Sequence, residues 1–203
     1  MSNKIRLYQA KDYYSICIWY SIFHQRMESE KGDKYNIQMQ NKILSLKRGM
    51  KNKDFINKII KSIKNYFDCD SIAVIPSSKK GFNNLQTMFY SYVFERTKQV
   101  PSRKYQHTGG LGLTDDVNVN LKNIKGKILL IDDVITTGIT MNAFAKKLKE
   151  FEYIKFGFAI NHKLNPIQID EIEKQDDSED ILTDLDIDEY ERGLKDITCQ
   201  ELS

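Results

Sequence analysis

The sequence predicts an α/β fold, a central parallel sheet flanked by helices, and three observations predict it. Short apolar runs recur along the middle of the chain: Ser71-Ile72-Ala73-Val74-Ile75, Lys127–Ile131 and Ile154–Ile160. They lack the alternation of a half-exposed strand, as strands covered on both faces do. Each of the first two is followed by a polar, small-residue loop and then by residues at helical spacing.

The elements follow in order. Residues 11–28 are rich in Tyr, Ile, Trp and Phe, and their spacing fits either a helix or a strand-like cover. Over 54–67, Phe55, Ile56, Ile59, Ile60, Ile63, Tyr66 and Phe67 recur at helical intervals with lysines between them, and Asp54 suits the amino end of that helix. The strand at 71–75 stops at Pro76, and the polar turn Ser77-Ser78-Lys79-Lys80-Gly81 leads to a helix expected from about Asn84 to Glu95. Residues 97–120 are polar and glycine-bearing without a period, the profile of either a functional lid or a segment that hides an element of its own. Gly126 turns the chain into the strand Lys127–Ile131, a loop is expected over Asp133–Ile139, and a helix from Thr140 to about Phe151. Ligands of such sheets bind beyond the carboxyl ends of the strands, which singles out loops 76–82 and 132–140.

A chain of 203 residues with 40% hydrophobic and 29% charged residues is long enough for one α/β domain with a real core. No apolar run approaches the ~18–20 residues of a membrane span, so the chain reads as soluble and cytoplasmic, with no membrane partner. Cys17, Cys69 and Cys199 are too far apart to form a zinc ribbon and read as ordinary thiols. The net charge of +3 conceals an asymmetry. Residues 165–203 hold 14 acidic and three basic side chains, leaving 28 basic and 14 acidic in the first 164. A basic body favours anionic ligands, either phosphorylated sugars and nucleotides or nucleic acid. The acidic end is either a shield for that surface or a solvated helical tail.

The chemistry concentrates at 128–140. The buried run Ile128-Leu129-Leu130-Ile131 delivers Asp132 and Asp133 to a strand end, where adjacent acids need hydroxyls, amides or a cation as partners. Thr136, Thr137, Gly138, Ile139 and Thr140 follow just before a helix, and small residues let successive backbone amides converge on an anion. Carboxylates for sugar hydroxyls beside a cradle for a phosphate make a site for a phosphorylated ribose.

The segment Ile128–Thr140 resembles the 13-residue signature of the type I phosphoribosyltransferases at every position. The resemblance implies the type I phosphoribosyltransferase fold with a small N-terminal hood. Residues 1–50 would be the hood, 51–164 the phosphoribosyltransferase core and 165–203 an acidic C-terminal extension. It implies that Asp132 and Asp133 contact the ribose hydroxyls of phosphoribosyl pyrophosphate (PRPP) and stand near a magnesium ion, through PRPP or water. Thr136, Thr137, Gly138, Ile139 and Thr140 would bind the 5-phosphate. Ser77, Ser78, Lys79 and Lys80 would cradle the pyrophosphate, although a solvated turn has the same composition. The stretch at about 100–117 occupies the place of the family's catalytic lid, with Arg103 first and Lys104 next as its cations. His107 reads as a surface histidine, and Arg96 and Lys98 face either the anion or solvent.

The implied reaction passes the phosphoribosyl group from PRPP to a nitrogen of a small-molecule acceptor and releases pyrophosphate. Where 6-oxopurine enzymes carry an acid, this chain has Thr136, which disfavours a hypoxanthine or guanine acceptor. Phe156, Phe158 and His162 are either base-stacking residues or core and rim. Leu46-Lys47-Arg48-Gly49, Gly126-Lys127 and Met141 look nearest to ComF-like proteins over about 44–162, without the cysteine-rich zinc ribbon those often carry. Two other functions stand beside transfer: a PRPP- or nucleotide-sensing module without turnover, and a nucleic-acid-linked protein using the basic body. A homodimer is compatible with all three.

Overall fold

The computed structural model describes residues 4–20, 33–47, 53–77, 84–97 and 117–174. Its centre is a seven-stranded sheet ordered β4-β7-β8-β2-β1-β9, with β3 also paired to β8. The strands are β1 (Lys4–Ala10), β2 (Tyr13–Ser15), β3 (Ile18–Trp19), β4 (Ser71–Val74), β7 (Ile128–Ile135), β8 (Tyr153–Asn161) and β9 (Ile167–Glu173). β4, β7, β8, β2 and β3 run parallel, whereas β1 is antiparallel to both β2 and β9. This is the mixed, mostly parallel sheet flanked by helices that the sequence predicts.

β2 and β3 lie along the same edge of β8, one at Lys155–Gly157 and the other at Ile160–Asn161. Between them the hydroxyl of Ser15, fully buried, accepts the Cys17 N–H at 3.1 Å, and the Ile160 N–H reaches the Cys17 carbonyl at 2.9 Å. The interrupted strand therefore leaves few buried backbone groups unpaired.

Helices α1 (Lys34–Lys47) and α2 (Lys53–Tyr66) cover one face. Met39 and Ile43 of α1 and Ile56, Ile59, Ile60 and Ile63 of α2 pack with Leu129, Ile131, Phe156 and Phe158 of the sheet. Spacings of three and four between the isoleucines put them on one stripe, with Asp54 in the first turn and Lys64 in the last, each suited to the helix dipole. The other face is covered by α4 (Ile139–Ala145) and the 3₁₀ turn Lys146–Leu148. There Met141, Phe144 and Leu148 pack on Ile128, Leu130, Ile135 and Ile160. Alternate residues of β7 thus serve opposite cores, which is why the run Ile128–Ile131 is uniformly apolar and wholly buried.

Several elements differ from the sequence expectation. The helix expected over 84–95 is only α3 (Asn84–Met88), followed by β5 (Phe94–Arg96). The chain breaks at Tyr90, whose φ is 44°, so that Ser91 can turn to β4. The Ser91 hydroxyl accepts the Val74 N–H at 3.2 Å and donates to the Ile72 carbonyl at 2.9 Å, standing in for a neighbouring strand. β5 pairs antiparallel with β6 (Val117–Val119), Arg96 opposite Val117. The loop expected from Asp133 begins later, because β7 continues to Ile135 in register with Ile160 of β8. The helix expected from Thr140 to Phe151 tightens into a 3₁₀ turn at Lys146.

β1, β2 and β3 lie within 1–50, and β9 lies within 165–203, where a helical tail was one expectation. β1 carries fully buried Ile5 and Leu7 into the core, and β9 joins it through backbone pairing while its own side chains stay mostly exposed. Cys17 and Cys69 are free and buried. Among the described residues no helix is long and apolar enough to cross a membrane.

Candidate active site

β7 is flanked by β4 and β8, so its carboxyl end is fixed from both sides. Val74 pairs with Ile131, and the Ile75 N–H extends the ladder to the Ile131 carbonyl at 2.9 Å. β4 therefore ends level with Ile131, one strand spacing or about 4.8 Å away, and β7 runs on past it to Ile135. On β7 the two residues after Ile131 are Asp132 and Asp133, both half-buried. Asp132 accepts the Asp133 N–H on Oδ1 at 2.8 Å, and Asp133 accepts the Val134 N–H on Oδ1 at 2.6 Å. Each carboxylate is thus oriented by the backbone amide that follows it.

Across from Asp132 on β8 stands Gly157. A Cβ there would lie 2.7 Å from Cγ1 of Ile135, so the glycine admits the close packing of the strand that carries the acids.

Beyond Ile135 the chain turns through exposed Thr136 and Thr137 to Gly138. Gly138 is left-handed, φ 79° and ψ −5°, a conformation that costs other residues about 1–2 kcal/mol. The Thr137 Oγ1 lies 3.5 Å from the Ile139 N–H, and the Asn142 N–H caps the Gly138 carbonyl at 2.8 Å. Thr140 is half-buried, whereas the Ile139 side chain is exposed, so what Ile139 offers the turn is its amide.

On the β4 side, buried Pro76 and half-buried Ser77 follow the strand. Arg96 donates its Nε–H to the Pro76 carbonyl at 3.1 Å, which ties the β5–β6 ribbon to this end of the sheet. Arg96 pairs with Val117 across this ribbon. Asp132, Asp133, Thr136–Thr140 and Ser77 all gather at the carboxyl ends of β4 and β7. Ser78, Lys79, Lys80, Arg103 and Lys104 lie outside the described residues, as do Lys98 and His107.

Phe156 and Phe158 are fully buried and meet edge-on at 5.6 Å, which makes them core rather than a stacking surface. His162 sits on the 3₁₀ turn after β8, its Nδ1 3.2 Å from the Trp19 carbonyl and its ring 5.8 Å from that of Tyr20. A cleft of about 360 Å³ opens at the opposite, amino-terminal end of β4, lined by Asp70, Ser71, Tyr90, Tyr92 and Asn120 among others, and holds none of these site residues.

Sequence reasoning missed the residues beneath the turn. Buried Tyr13, on β2, abuts Gly138 and accepts Asn142 Nδ2–H at 2.7 Å, and Lys155 donates to Asn142 Oδ1 at 2.7 Å. Tyr13 and Asn142 are 129 positions apart, and no local pattern links them. Asn142 alone had a signal, since it lies within the first turn after Thr140.

The site resembles a place for a hydrated divalent cation more than a protein-built cage. Among the described residues no three His, Cys, Asp or Glu side chains converge on one point. Two hard carboxylates on adjacent residues fit magnesium that is held mainly by ligand oxygens and water.

A sheet of this order, with acids and a glycine bend at the end of one of its inner strands, defines a mixed α/β protein whose candidate site is a strand-to-helix turn. The chain belongs to a family: residues 42–190 match the phosphoribosyl transferase domain. The fold is accordingly the type I phosphoribosyltransferase fold. No curated protein and no solved structure matches the chain.

Proposed function

We propose that the chain is an enzyme that binds PRPP across the ends of β4 and β7 and transfers its phosphoribosyl group to a nitrogen acceptor. One observation carries this reading: β7 presents Asp132 and Asp133 just beyond the level at which β4 ends and runs on without a break into the 136–140 turn.

In this reading the amides and hydroxyls of Thr136, Thr137, Gly138, Ile139 and Thr140 hold the 5-phosphate. Asp132 and Asp133 orient the ribose hydroxyls. Ser77, Ser78, Lys79 and Lys80 hold the pyrophosphate, and Arg103 and Lys104 close over it from the ribbon anchored at Arg96. Magnesium, when bound, supplies charge neutralisation of the leaving pyrophosphate. The bond from the anomeric carbon to the pyrophosphate oxygen breaks as the bond to the acceptor nitrogen forms. The residues contribute mainly by positioning and by stabilising negative charge. Thr136 is no general base near neutral pH, so the acceptor nitrogen arrives nucleophilic or loses its proton elsewhere. Within the family, Gly126-Lys127 and Met141 favour a ComF-like domain.

Calorimetric titration with PRPP, with and without magnesium, tests the binding step, and pyrophosphate release with a panel of nucleobases and amines tests transfer. Thr136 also favours a second reading, a sensor that binds PRPP without turnover. PRPP affinity unchanged in Arg103→Ala, with no pyrophosphate released by any acceptor, would favour the sensor.

A further inference from the structure

We infer that Tyr13, Asn142 and Lys155 are positioning residues for the turn at Gly138, so that the amino-terminal strand β2 sets how tightly the 5-phosphate end of the ligand is held. The inference rests on the reading of that turn as the phosphate site.

The Tyr13 hydroxyl forms the floor of the turn. A Cβ on Gly138 would overlap the hydroxyl and ring of Tyr13, so the left-handed bend is seated directly on this side chain. Asn142 grips the bend twice: its N–H donates to the Gly138 carbonyl at 2.8 Å, and its Nδ2–H donates to the Tyr13 hydroxyl at 2.7 Å.

Lys155 decides which way the Asn142 amide faces. An ammonium only donates, so the amide oxygen must turn to Lys155, at 2.7 Å, and the amide nitrogen to Tyr13. The Tyr13 hydroxyl is then an acceptor from Asn142, and its own proton has no acceptor among the described residues. Tyr13 is only 3% exposed, so that proton is held ready inside the wall of the turn.

Lys155 also brings charge. Its side chain is 11% exposed, and its ammonium lies 5.3 Å from the centre of the Tyr13 ring. The ion-pair partner, Asp12, is 64% exposed, and solvent screens its carboxylate more than it screens the lysine. The ammonium is the less exposed member of the pair and the one that bonds Asn142 under the turn, where a cation favours a bound phosphate dianion.

The test uses the full chain and two separate ligands, ribose 5-phosphate and inorganic pyrophosphate, titrated calorimetrically in wild type, Tyr13→Phe, Lys155→Met and Lys155→Arg. Tyr13→Phe keeps the ring and deletes only the hydroxyl. Tyr13→Phe and Lys155→Met are expected to weaken ribose 5-phosphate about three- to tenfold and to leave pyrophosphate within about twofold. Lys155→Arg is expected to restore most of the loss, because it keeps both charge and donor. Thermal melts identify any variant that has not folded, and the split between ligands is then read from the others.

Equal losses for both ligands would mean a general structural role and overturn the inference. So would wild-type affinity for ribose 5-phosphate in both Tyr13→Phe and Lys155→Met. A folded wild type that binds neither ligand refutes the phosphoribosyl reading itself, whereas wild-type binding with unmoved variants refutes only the positioning role.

Discussion

Arg96 donates its Nε–H to the carbonyl of Pro76 at 3.1 Å, while its guanidinium lies 5.5 Å from the centre of the Phe144 ring. One side chain on β5 thereby joins the end of β4 to the helix that follows the 136–140 turn. Both halves of the candidate site share this tie. Arg96→Ala is expected to lower stability by about 1 kcal/mol and to weaken pyrophosphate binding several-fold. Arg96→Lys restores the charge without the planar fork and is expected to recover less than half of the loss in affinity. Urea titration and calorimetry read the two effects separately, and unchanged pyrophosphate affinity in Arg96→Ala would show that the tie is irrelevant to the ligand.

At Gly138 the left-handed backbone and the space taken by Tyr13 act together. Gly138→Ala adds a strain of about 1–2 kcal/mol and drives a methyl group into the tyrosine. The expected outcome is a lower melting temperature and a loss of ribose 5-phosphate binding of at least about tenfold. Tyr13→Phe in the same chain is not expected to rescue it, because Cζ and Cε2 of the ring also crowd that position. A Gly138→Ala protein that melts and binds like wild type would remove the case for a strained cradle.

The central strand and the acids were legible because local chemistry determines them. A run of four large aliphatic residues between the turn at Gly126 and a pair of acids is too short for a helix and fits a strand covered on both faces, and Asp132-Asp133 marks where that cover ends. The isoleucine stripe of α2 was legible for the same reason. The flanks were not. Ser91 turns the chain out of a helical pattern because β4 has an open edge to close, a need visible only when β4 is placed at the end of the sheet. β9 is mostly exposed and strongly acidic, so its sequence resembles a solvated tail, and the backbone of β1 is what recruits it. Tyr13 and Lys155 carried no signal at all, since their meaning depends on β2 lying beside β8.

The acids allow a test that separates charge from shape. Asp132→Asn and Asp133→Asn keep an oxygen for the backbone N–H that each residue accepts, so the turn should remain in place. What is lost is negative charge toward ribose hydroxyls and a hydrated cation. Each variant is expected to keep the melting temperature within a few degrees and to lose about tenfold or more in PRPP affinity, with the larger loss in magnesium. Equal PRPP affinity with and without magnesium in wild type would argue that the acids do not serve a cation.

Burial makes the folded protein sensitive to alkali. Desolvation pushes the thiol of Cys69 from its ordinary 9.0 up to about 11, and it raises Cys17, with a further push from Asp33. Burial likewise raises the phenols of Tyr35 and Tyr8, the latter against the pull of its bond from Asn36. All four are acids whose neutral form is favoured on folding. Their contribution to stability is therefore fully present below the unfolded-state values and is lost as the pH climbs towards the folded ones. For Cys69 alone that window runs from about 9 to about 11, and the loss across it is on the order of 2 kcal/mol. Urea midpoints measured near neutrality, near pH 9 and near pH 11 should be level between the first two and fall steeply at the third. Cys69→Ala should soften the fall without removing it, because Cys17 and the two tyrosines still titrate. A midpoint that held constant to pH 11 would mean that these side chains reach water far more freely than their packing implies.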